Sequence, residues 1–120
     1  MNVFQDALRR IAERVEGAQA VSLVGVDGIA IDSYGVGEGL SMESIAAELG
    51  AFLKSARSPR SALENARVQQ MAIETDSAIT ILSRVTEEYY LLLLLSRDGN
   101  FGRGRFELRK AALTLEEELL

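Results

Sequence analysis

Tyr89-Tyr90-Leu91-Leu92-Leu93-Leu94-Leu95-Ser96 is the most hydrophobic run of the chain, and its reading decides the fold. It is far too short to cross a bilayer as a helix. Thr86-Glu87-Glu88 precedes it and Arg97-Asp98-Gly99-Asn100 follows it. So short a run between two turn signals favours a strand over a buried helical segment. A strand with one wet face alternates apolar and polar side chains. This one does not alternate, so both of its faces are buried. It is therefore a central strand covered by helices on both sides, and the expected architecture has three layers.

Working outward, residues 77–84 (SAITILSR) and 66–74 (ARVQQMAIE) read as two further strands around a turn at Thr75-Asp76. The 66–74 segment is the most polar. Val68, Gln70, Ala72 and Glu74 fall on one side of it, and Arg67, Gln69, Met71 and Ile73 on the other. Neither side is fully apolar, which suits an edge strand. An exposed edge must be paired or protected. Two copies could pair edge to edge across a twofold axis. Alternatively, Arg67 and the glutamines keep a monomeric edge soluble. The pattern leaves both readings open.

The remaining elements follow from periodicity. Residues 3–16 form an amphipathic helix stopped by Gly17. Residues 19–26 and 29–34 form two strands joined at Asp27-Gly28, a strong hairpin signal. Ser41 caps a middle helix of about 42–57, with Ile45, Ala46, Leu49, Phe52, Leu53 and Ala56 as its apolar stripe. Phe52 and Leu53, side by side, widen that stripe enough to serve both the sheet and a symmetry mate. Ser58-Pro59-Arg60-Ser61 ends the helix. A last helix starts near 100 or 101 and runs to about 118. Leu108, Ala112, Leu115 and Leu119 mark one stripe; Phe106, Leu113 and Leu120 mark an adjacent one. Glu116, Glu117 and Glu118 sit where a helix C-terminus disfavours negative charge. The order is α-β-β-α-β-β-β-α: an α/β fold, expected as one domain over 1–120.

Composition removes most catalytic options. The chain has no histidine and no cysteine. A Ser-His-Asp triad, a cysteine nucleophile and a thiolate or imidazole metal site are all excluded. The protein is therefore expected not to be an enzyme, with neither cofactor nor metal. A net charge of −5 leaves no footprint for nucleic acid. The N-terminal stretch lacks an apolar signal-peptide core, and no lipidation motif is visible. A cytoplasmic protein with no integral membrane contact is expected.

Other short motifs have plainer readings. Gly35, Gly37 and Gly39 could suggest a phosphate cradle, but Leu40 stands where a lysine would be wanted. Gly102-Arg103-Gly104-Arg105 could hold an anion at a helix N-terminus. The favoured reading is that the glycines allow close approach to the sheet and the arginines face solvent or pair with acids. Lys54, Arg57 and Arg60 form a small basic cluster, read as a solvated helix end. Asp27 belongs to a turn and Asp32 is expected at the surface. A small-ligand sensor would need a central pocket, which the packed leucine run opposes.

Two patches sharpen the reading. Val24-Gly-Val-Asp-Gly-Ile-Ala-Ile31 is similar to the first hairpin of the Roadblock family. Asn100-Phe-Gly-Arg-Gly-Arg-Phe-Glu-Leu-Arg-Lys-Ala111 is similar to that family's lead-in to its last helix, with Asn100, Gly102 and Arg105 in the matching positions. In this element order the chain resembles the Roadblock family of dynein light-chain and small-GTPase-regulator proteins, including bacterial regulators of the MglB type. The resemblance implies a three-layer, Roadblock/profilin-like fold with a mainly antiparallel sheet of five strands. It implies a homodimer, or a dimer with another Roadblock chain, that shares one continuous sheet and packs the two middle helices together. Arg67, Gln69, Met71 and Ile73, with Leu49, Phe52, Leu53 and Ala56, would form that interface. In the MglB-like branch, such a dimer binds a small Ras-like GTPase. It promotes hydrolysis by repositioning groups already in the GTPase and lends no arginine finger. Glu48, Lys54, Ser55 and Arg57 would be the contact residues on the middle helix. Other members are scaffolds that do not stimulate hydrolysis.

Overall fold

The computed structural model of the chain describes residues 2–35 and 41–119. Its elements are α1 (Val3–Arg14), β1 (Ala18–Gly25), β2 (Ala30–Tyr34), α2 (Met42–Ala56), β3 (Gln70–Glu74), β4 (Ile79–Arg84), β5 (Tyr89–Leu95) and α3 (Phe101–Leu119). The sheet order is β2-β1-β5-β4-β3, so the leucine-rich β5 is central. Every strand pair is antiparallel.

Leu91 through Leu95 are all buried, as a strand without alternation requires. Leu91, Leu93 and Leu95 meet Leu8 and Ile11 of α1 and Leu108 and Leu115 of α3. Tyr90, Leu92 and Leu94 join Ala46, Leu49 and Leu53 of α2 in a second core on the opposite face. Two separate apolar cores on one sheet are the three-layer arrangement.

Side chains cap the helix starts. Asn2 Oδ1 accepts from the Phe4 N–H at 2.8 Å. Ser41 Oγ accepts from the Ser44 N–H at 3.2 Å, and Asn100 Oδ1 from the Arg103 N–H at 3.0 Å. Gly50 lets α2 lie against the Val26 carbonyl in the first hairpin, where any Cβ would collide. Asp27 Oδ1 tightens that hairpin by accepting from the Ile29 N–H.

Several boundaries differ from the sequence expectation, each for a local reason. Helix α1 ends at Arg14 because Val15 turns extended to bury its side chain. Strand β3 begins at Gln70 and not at residue 66. Glu64 and Asn65 are both left-handed (φ 59°), and the chain reaches the sheet only as the Gln69 carbonyl accepts from the Arg84 N–H. Ser77 and Ala78 belong to the β3–β4 turn, where the Thr75 N–H donates to the Ala78 carbonyl. Asp32 is half-buried and accepts from the side chains of Asn2 and Gln5, which ties the start of α1 to β2. Val36 to Leu40, with Gly37 and Gly39 of the cradle reading, lie outside the described residues, as does Leu120.

Candidate protein-binding surface

Helix α2 uses one face for its own sheet. Met42, Ala46, Leu49, Leu53 and Ala56 are buried there. Leu49, Leu53 and Ala56 are thus largely taken up within the protomer, and Leu49 keeps the most exposure of the three at 9%. They recur at three- and four-residue spacing, so one face carries them all into the core. Phe52 stands one residue, about 100° of helix, from Leu53. It is 45% exposed.

Glu48, Lys54, Ser55 and Arg57 are all exposed. They do not form one patch. Glu48 and Ser55 share the flank of Phe52, while Lys54 lies on the flank of Gly50, which packs on the hairpin. Arg57 is the C-cap.

Strand β3 is an edge of the sheet. Its register sets Met71 opposite Leu82 and Ile73 opposite Thr80. Met71 thus points to the α2 side, where it packs on the second core. Ile73 follows it two residues on and is 41% exposed. The other face carries Gln70, which bonds both ways with α3. Its Nε2 donates to the Arg105 carbonyl at 3.2 Å, and Arg105 Nε donates to its Oε1 at 2.8 Å. Arg67 and Gln69 precede the paired strand. Arg67 forms an ion pair with Glu87 across the β4–β5 turn.

Tyr90 lies at the basic end of this face. Burial pushes its hydroxyl pKa above the usual value; Arg84, Arg57 and Arg67 pull it back, and Glu87 raises it slightly. A groove of about 320 Å³ on the other side of the sheet is lined by residues including Arg84, Val85, Arg109, Leu113 and Glu116.

The 102–105 motif is structural. Arg103 Nε donates to Glu107 at 2.8 Å, and Arg105 stacks over the Phe101 ring at 5.6 Å. Gly104 makes the close approach: a Cβ there would come within 3.0 Å of Leu93 Cδ2. Gly102 faces open space on all but its Asn100 side. Sequence reasoning missed Glu107, which is buried between Arg103 and Arg14 and locks α3 to α1. Its only signal was the four-residue spacing to Arg103. Among the described residues no cluster of acids could hold a metal ion, and no helix is long and apolar enough to cross a membrane.

Comparison with known proteins agrees with this architecture. The family model described as the Roadblock/LC7 domain matches residues 4–95. No curated protein matches the sequence. Among solved structures, a Roadblock/LC7 domain from Streptomyces avermitilis is similar at 19% identity and TM-score 0.81, over 94% of each chain. MglC from Myxococcus xanthus is similar at 29% identity and TM-score 0.69, over 98% of this chain and 99% of that one. Myxococcus xanthus MglB is similar at 16% identity and TM-score 0.84, over 98% of this chain and 87% of that one. From α1 through β5 the matched segment spans every strand of the sheet, and the chain belongs to the Roadblock/LC7 domain family.

Proposed function

We propose that this chain is a single-domain, non-catalytic Roadblock regulator or scaffold that dimerises and binds a small Ras-like GTPase in the cytoplasm. The observation that carries the reading is the apolar edge: Met71 and Ile73 on edge strand β3 face the same side as the exposed Phe52 of α2. Antiparallel pairing of two β3 edges cures the edge liability. It also sets both α2 helices on one face of the extended sheet. Met71, Ile73 and Phe52 then form the apolar centre of the interface, with Arg67 and Gln69 at its margin. The second chain is another copy or a different Roadblock protein. Glu48, Lys54, Ser55 and Arg57 stay exposed for a GTPase.

A chain without histidine or cysteine has little acid–base chemistry of its own. By resemblance to the MglB-like branch, any acceleration of hydrolysis acts by repositioning the GTPase's own groups. The test is capture of a Ras-like GTPase encoded beside this chain, loaded with GDP or with GTP, using protein of measured oligomeric mass. Preference for the GTP form with faster hydrolysis identifies a regulator. Capture indifferent to nucleotide, with hydrolysis unchanged, identifies a scaffold. A monomer that captures neither form refutes the reading for that GTPase.

A further inference from the structure

Helix α3 buries Gly104, Leu108, Ala112 and Leu115 against the sheet. Its opposite face is not fully polar. Phe106 is 57% and Leu113 75% exposed, and their seven-residue spacing puts them on one line along the helix. Two charged flanks run beside that line. Arg109 and Glu116 lie on one flank, Lys110 and Glu117 on the other. All of these charged residues are exposed, and among the described residues none is in an ion pair.

Opposite charges on one helix pair at three- or four-residue spacing. This chain does so at Asp6–Arg9 and Arg103–Glu107. A spacing of seven separates Arg109 from Glu116, and Lys110 from Glu117, by about 10 Å along the axis. Neither pair can close within the helix. The stripe is thus positive before Leu113 and negative after it. A parallel neighbour in register would set like charges together. An antiparallel copy with its twofold axis at Leu113 sets Arg109 beside Glu116, and Lys110 beside Glu117, each level to within about 1.5 Å. Symmetry then repeats both pairs. The same pairing accounts for Glu116 and Glu117 near a helix C-terminus, where the dipole disfavours acids.

We infer that α3 is a second self-association surface, on which two copies pack antiparallel with Leu113 on Leu113 and ion pairs Arg109–Glu116 and Lys110–Glu117 on either side. It is independent of the proposed β3 pairing. Helix α3 lies over β4 and β5 with its outer face turned away from the sheet, so the edge of β3 stays open. One protomer can make both contacts, and the product is a dimer of dimers. A single helix pair is a small interface, so the association is concentration-dependent. Salt weakens it by screening the charges.

Sedimentation of the purified chain over a range of concentrations, at low and high salt, tests this. Leu113→Asp is expected to abolish the largest species while leaving the thermal midpoint unchanged. Lys110→Glu sets like charges together and is expected to weaken association by roughly tenfold or more. Glu117→Lys should do the same. Mixing the Lys110→Glu and Glu117→Lys proteins restores oppositely charged pairs on every flank and should recover assembly as a mixed complex. An Ile73→Asp background removes the β3 contact and should leave this charge-dependent step intact, so failure of one interface is separable from failure of the other. The inference is overturned if the wild-type mass is insensitive to Leu113→Asp, or if the mixture does not recover assembly. A partner of another kind on this face would give the former result.

Discussion

At the residue scale, single positions carry out specific mechanical tasks. Gly50 allows α2 to touch the backbone at Val26, which cannot retreat without opening the hairpin. Gly50→Ala is expected to lower stability by about 1–3 kcal/mol, as overpacking does. Urea unfolding of the variant measures it. Tyr90 supplies a pH signature. Its folded pKa lies above the unfolded value of about 10. Burying the neutral phenol therefore contributes stability that is complete below pH about 10 and is lost as pH rises through the folded value. The wild-type thermal midpoint should fall more steeply above pH 10 than that of Tyr90→Phe. Equal slopes would mean another group governs alkaline unfolding.

At the scale of elements, β3 and α2 divide their surfaces between core and outside. Strand β3 gives Gln70 to α3 and Met71 to the α2 side, and leaves Ile73 largely uncovered. Ile73→Lys is expected to leave the monomer's unfolding free energy within about 0.5 kcal/mol of wild type, as for a surface site. It should also abolish the proposed edge pairing, read as a halved mass by light scattering. A large loss of stability would instead make Ile73 part of the protomer's own core. The sequence reading had the right strand here and the wrong length. Alternation could not register the left-handed Glu64 and Asn65, because their backbone shape is imposed by the route from α2 to the sheet edge.

At the scale of the whole molecule, leucine has opposite roles in different layers. Leu93 is buried between β5 and the helices α1 and α3, whereas Leu113 faces outward. Leu93→Ala is expected to cost about 2–5 kcal/mol. Leu113→Ala should cost under about 0.5 kcal/mol and affect association instead. Calorimetry at a concentration where association is absent distinguishes them. Both leucines sit in plausible apolar stripes when read locally. Their difference appears only once Gly104, Leu108 and Leu115 fix which side of α3 meets the sheet.

The three layers, the central place of residues 89–95 and the edge place of β3 are all legible in the chain's apolar pattern. Periodicity and the lack of alternation are local properties that survive any arrangement of the rest. Residues 100–105 were also legible as a motif, although Gly104, not Gly102, makes the close approach. Which members of an apolar stripe remain outside depends on the folded packing. The fold places Leu49, Leu53 and Ala56 in the core and leaves Phe52 partly exposed. It separated Lys54 from Glu48 and Ser55, and it hid Glu107 between two arginines. Exposure depends on which distant segment covers a face, and a sequence pattern gives the face without its neighbour.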